Sequence, residues 1–91
     1  MIRRHAIVSG RVQGVGFRWS AREFARRLGV SGFARNRVDG TVEVEVEGET
    51  EAVERMLGWL RTGPPGCRVD SVKISDLAPL GDDAFRVHGT Q

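Results

Sequence analysis

From residue 4 to residue 12 apolar and polar positions alternate. Ala6, Val8, Gly10 and Val12 fall on one side and His5, Ile7, Ser9 and Arg11 on the other, the two-residue period of a half-buried strand. After a glycine-rich interruption the period changes. Phe17, Ala21, Phe24, Ala25 and Leu28 recur at helical spacing, with Arg22, Glu23, Arg26 and Arg27 off the stripe and Gly29 beyond it, which predicts an amphipathic helix with a glycine C-terminus. Ser20-Ala21-Arg22-Glu23 has capping-box spacing and would start that helix near Ser20; a start one or two residues earlier suits the loop equally. Residues 30–37 read as a second strand, Val38-Asp39-Gly40 as a hairpin turn, and residues 41–48 as a third strand with valines inward and glutamates outward. Val53, Met56, Leu57 and Leu60 mark a second helix over 50–62, with Glu49 and Glu51 at its start, Arg61 near its end and Gly63-Pro64-Pro65-Gly66 stopping it. Val69, Val72 and Ile74 indicate a fourth strand, 77–83 an irregular connection, and residues 85–88 a short last strand. The order β-α-β-β-α-β, plus the small extra strand and a right-handed crossover after the first, predicts an α+β ferredoxin-like split βαβ sandwich: an antiparallel sheet with two helices on one face.

A length of 91 residues suits one domain, residues 1–91, with no room for an internal repeat. Hydrophobic residues at 40% and charged residues at 29% exclude a disordered chain. No apolar run approaches the ~18 residues of a membrane span, and residues 1–5 are not followed by a signal-peptide core. Cys67 is the sole cysteine, so neither an internal disulfide nor a cysteine zinc cluster is available. These features predict a cytoplasmic protein. Charge changes the picture more, because the net +2 hides an asymmetry. Residues 1–37 carry nine arginines against Glu23 alone, and residues 38–91 carry five basic against eleven acidic side chains. A positive half suits an anion site or a nucleic-acid surface. The alternative is that the halves pair across the sheet, Glu43, Glu45 and Glu47 taking Arg11, Arg35 and Arg37 as cross-strand partners.

The candidate chemistry lies in Gly10-Arg11-Val12-Gln13-Gly14-Val15-Gly16-Phe17-Arg18. Three glycines in seven residues allow positive φ and converging N–H groups, a nest for an anion such as phosphate. Arg18 adds a planar fork of donors at the positive end of the first helix. The stretch matches neither a P-loop nor the dinucleotide fingerprint, and a purely structural strand-to-helix turn remains the alternative. Asn36, at the end of the second strand, is the polar residue able to face that loop: its carboxamide accepts from a water while donating to a substrate oxygen. It can also be read as a turn residue before the hairpin.

Gly10-x-Val12-Gln13-Gly14-Val15-x-Phe17-Arg18, with Gly32-Phe33-Ala34-Arg35-Asn36-x-x-x-Gly40-x-Val42 and the later Gly48, resembles the paired signatures of the acylphosphatases over roughly residues 4–88. The resemblance implies the same βαββαβ fold, Arg18 as the phosphate-binding arginine, Asn36 as the residue orienting the attacking water, and Gln13, Gly14, Val15, Gly16 and Phe17 as the substrate-binding cradle. Phe33 stands where many relatives have tryptophan. Arg37, beside Asn36, stands where relatives often have a smaller or apolar residue.

The implied reaction is hydrolysis of an acyl phosphate, a carboxyl–phosphate mixed anhydride, to a carboxylate and inorganic phosphate. The leaving group is already good, so positioning and electrostatic stabilisation carry the catalysis. No Asp/Glu/His cluster has metal-ligand spacing along the sequence, and His5 and His88 lie outside the signatures; the expectation is no metal and no cofactor. Ser9 and Ser20 have no His and acid placed to activate them. The expected partner is a small-molecule acyl phosphate substrate, with no nucleic acid and no membrane, and the protein is expected to be a monomer. Two other readings stand beside it. One is an RNA-binding module of the same topology, whose expected stacking surface here presents Glu43, Glu45 and Glu47. The other is a non-catalytic acylphosphatase-like module that helps a larger machine handle carbamoyl phosphate.

Overall fold

The computed structural model describes residues 1–90. Seven elements follow in order: β1 (Ile2–Arg11), α1 (Phe17–Leu28), β2 (Ser31–Asn36), β3 (Val42–Gly48), α2 (Thr50–Leu60), β4 (Arg68–Leu77) and β5 (Phe85–His88). The sheet order is β4-β1-β3-β2-β5. Every neighbouring pair is antiparallel except β2 and β5, which run parallel in the register Gly32 to Phe85 through Arg35 to His88. α1 packs over β2 and β5, α2 over β1 and β3, and the helices touch each other. The result is the ferredoxin-like α+β sandwich.

The alternation of the strands builds the core. Ala6, Val8, Ala34, Val42, Val44 and Val46 point to the helix layer and are fully buried together with Ala21, Ala25, Val53, Met56 and Leu60. Trp59 links the helices: its ring centroid is 5.5 Å from that of Phe17 and 5.5 Å from that of Phe24, the latter pair stacked. No helix among the described residues is long and apolar enough to cross a membrane.

Two expectations need correction. α1 begins at Phe17 rather than near Ser20, because the Ser20 amide already bonds the Gly16 carbonyl at 3.0 Å and no side chain caps the helix. The glycine turn sets the helical path, and the Ser20 capping box does not form. The charge pairing also differs. Glu43 does meet Arg35, but Glu45 and Glu47 are taken by Arg3, whose Nε reaches Glu45 at 2.8 Å and whose Nη1 reaches Glu47 at 3.1 Å. Register explains this. β1 pairs with β3 only from Ile2 to Val8, leaving Arg11 beyond the last glutamate, and Arg37 lies past the end of β2.

Arg3 is thereby only 2% exposed, at a position where strand alternation alone would leave it in solvent. The segment between β4 and β5 covers it. Glu47 accepts from the backbone amides of Leu80 at 2.6 Å and Gly81 at 3.0 Å, and Asp82 lies 3.5 Å from Arg3. The Leu80 amide, opposed by desolvation and reinforced by Arg3 and the Gly81 amide, holds the Glu47 carboxyl below its ordinary 4.5.

Candidate active site

The chain from β1 into α1 turns through Gly14 and Gly16, with φ of +76° and +77°, a left-handed conformation that costs other L residues roughly 1–2 kcal/mol. A Cβ at either would meet nothing within 4 Å, so backbone conformation, not crowding, calls for glycine here. Entering α1 this way leaves the amides at the head of the helix without carbonyls one turn below. α1 carries no acidic residue in its first turn. The partial positive charge of the helix end therefore stands uncompensated by the chain itself.

A cavity of about 200 Å³ opens at this end. Val12, Gly14, Gly16 and the first three helix residues, Phe17, Arg18 and Trp19, line it, with Asn36 of β2 and Val87 of β5 completing the wall. The Arg18 Nη1 donates to the His88 carbonyl at 2.7 Å, which fixes the guanidinium against the end of β5 and leaves its other N–H donors for the cavity. Asn36 ends β2 before the hairpin 37–41, a turn closed by the Arg37 amide on the Thr41 carbonyl at 2.9 Å and by Asp39 accepting from the Thr41 amide and hydroxyl. Among the described residues no hydrogen bond holds the Asn36 carboxamide.

Gln13 and Val15 belong to the same loop but do not line the cavity. The Gln13 amide group donates to the carbonyls of Arg37 at 2.7 Å and Thr41 at 2.9 Å, clamping the loop to the hairpin that carries Asn36. The alternating pattern reveals neither this clamp nor the part of Val87 and His88, since both depend on contacts across 24 to 70 residues of chain. Trp19 was legible in principle: it is a large apolar residue off the buried stripe of α1 and is 59% exposed.

Neither imidazole faces the cavity. The His88 ring stacks on Phe33 at 5.0 Å. His5 Nε2 lies 2.6 Å from Glu43 on the open face of the sheet. There, contrary to the linear spacing, strand pairing does assemble a His5, Glu43 and Glu45 group. Its carboxylates already serve Arg35, His5 and Arg3, and desolvation of Glu43 is outweighed by the His5 and Arg35 hydrogen bonds, which hold its carboxyl below 4.5. A network so rich in arginine balances its own charge. A larger cavity, about 370 Å³, lies around Met1, Arg26, Ser31, Glu47, Asp82 and Asp83; three acids against one arginine in its wall make it a poorer host for an anion than the head of α1.

The acylphosphatase family model matches residues 4–87. An acylphosphatase of Thermococcus kodakarensis is 50% identical over 88 residues, covering 97% of both chains, and one of Anaeromyxobacter dehalogenans is 53% identical over 87 residues, covering 94% of both. The crystal structure of acylphosphatase from Bacillus subtilis superposes with a TM-score of 0.93 at 32% identity, over 97% of this chain and 99% of that one. With the family model spanning nearly all of it and relatives about half identical over nearly its full length, the chain belongs to the acylphosphatase family.

Proposed function

We propose that this chain hydrolyses acyl phosphates without a metal, holding the phosphoryl group at the head of α1 with Arg18 and orienting the attacking water with Asn36. One observation carries the reading: a helix end with no acid of its own, an arginine already oriented by a backbone carbonyl, and an Asn carboxamide line a single small cavity. Loop and helix amides bind the phosphoryl oxygens, and the Arg18 fork neutralises the charge that spreads over them as the bond to the acyl oxygen lengthens. The Asn36 carbonyl accepts a hydrogen bond from the water and holds it for attack on phosphorus. The water oxygen bonds to phosphorus as the P–O bond to the acyl group breaks. The bonding pair leaves with the carboxylate, and the water's protons remain with the phosphate and the solvent. A carboxylate is a weak base, so departure needs no general acid. Gln13 acts on the geometry rather than on the substrate, by tying the phosphate loop to the Asn36 hairpin.

The test is phosphate release from benzoyl phosphate with and without EDTA. Turnover is expected to be the same in both, with inorganic phosphate inhibiting competitively at the shared site. Activity lost in EDTA and restored by Mg²⁺ or Zn²⁺ would overturn the metal-free mechanism.

A further inference from the structure

We propose that a second groove, walled by aromatic residues and adjoining the cavity, seats the acyl group of the substrate, so that the protein favours acyl phosphates with apolar chains or rings over acetyl phosphate. The inference rests on the assignment of the cavity to the phosphoryl group. The groove, about 270 Å³, runs between α1 and the segment after α2. Trp19 belongs to its wall and to the wall of the cavity, which makes the two spaces neighbours across one side chain. Beyond Trp19 lie Phe24 and Trp59, stacked at 5.5 Å, then Pro64 and Pro65. The Arg22 guanidinium, 4.8 Å from the centroid of the Trp19 ring, holds that exposed ring in place by cation–π attraction.

The chemistry of the substrate makes the occupant specific. In an acyl phosphate a single bridging oxygen separates phosphorus from the acyl carbon, so the group that emerges first from a phosphoryl site is the acyl chain. Its neighbour here is aromatic. Among the described residues the charged side chains lining the groove, Glu23 and Arg27, are of opposite sign, so its lining offers no paired cations to select a second phosphate or carboxylate. The volume corresponds to roughly nine waters, ample for a pentyl tail or one phenyl ring.

The experiment is a chain-length series, acetyl, butanoyl and hexanoyl phosphate together with benzoyl phosphate, measured as kcat/KM on the intact protein. Full burial of a methylene is worth about fourfold; in an open groove about twofold per methylene is expected, appearing in KM more than in kcat because the contact is alike in ground and transition states. Trp19→Ala and, independently, Phe24→Ala should flatten that slope, lowering the hexanoyl-to-acetyl ratio severalfold in variants shown to be folded by circular dichroism. A wild-type protein that turns over acetyl phosphate but gains nothing with chain length overturns the groove assignment and leaves the hydrolase reading intact. A slope that survives in either folded variant overturns it as well. Failure to turn over any acyl phosphate would instead bring down the hydrolase reading, and this inference with it.

Discussion

α1 and α2 are of similar length, lie side by side on the same sheet, and start in opposite ways. α2 starts from Glu49 in an extended conformation and carries Glu51 in its first turn, so its dipole is answered within the chain. α1 starts from Gly16 in a left-handed conformation and has no acid in its first turn; neither helix has a side-chain cap, but Arg18 adds positive charge where α2 has negative. Both arrangements are locally legible. Their difference separates a helix end whose charge is met by the chain's own acid from one that suits an external anion.

The strongest way to break the comparison is at the part of the site α2 has no counterpart for. Asn36→Ala should lower kcat by about 10² to 10³ while the Kd for inorganic phosphate stays within about threefold of wild type, because the proposed mechanism gives the anion to the helix end with Arg18 and the water to Asn36. An Ala variant that keeps kcat and only melts earlier would make Asn36 a turn residue. Next comes Arg18→Lys, which preserves charge and removes the fork. Losing one charge-assisted hydrogen bond and misplacing another is expected to weaken phosphate binding on the order of 10- to 100-fold, and kcat/KM by more. Phosphate titration and steady-state kinetics read the two effects separately. The Nη1 bond to His88 sharpens the expectation, since lysine also gives up the tether that orients the group.

Acid should act elsewhere. Glu43 and Glu47 titrate below their ordinary value of 4.5 in the fold, so they stabilise the native state above that value, and the stability is lost as pH falls through their depressed folded values. A thermal melt series from pH 7 to pH 3 should therefore be level near neutrality and fall below about 4.5; a melting temperature unchanged at pH 3 would mean that these two carboxylates are not held as described. The smallest effect is the reciprocal control: Glu51→Gln removes the acid from the first turn of α2 and should cost about 0.3 to 1 kcal/mol, a few degrees in Tm, with kcat/KM untouched.

How much of this could be read from the chain follows from the range of each interaction. The valine and glutamate alternation of β3, the apolar stripes of both helices and the Asp39-Gly40 turn depend on neighbours a few residues away, and they placed the elements to within a few residues. The left-handed glycines between β1 and α1 were legible for the same reason. Arg3 was not: it is buried by a covering segment some eighty residues later. The clamp formed by Gln13 was hidden in the same way. Its side chain looked like part of the cradle, but both its N–H groups are committed to the hairpin, a role that exists only once α1 and β2 have been laid down. The capping-box reading of Ser20 failed for a local reason, in that two left-handed glycines already set the helical path before it.

The bond from Arg18 to the His88 carbonyl spans 70 positions of sequence and joins α1 to a four-residue strand that pairs with β2 alone. A contact of such separation closes a long stretch of chain and forms only against that loop's entropy. A molecule in which β1 to β4 have formed but β5 has not docked would keep most of its core and still lack an oriented Arg18. β5 thus ties the orientation of the Arg18 guanidinium to the completion of the sheet, because the carbonyl that fixes it stands at the end of that strand.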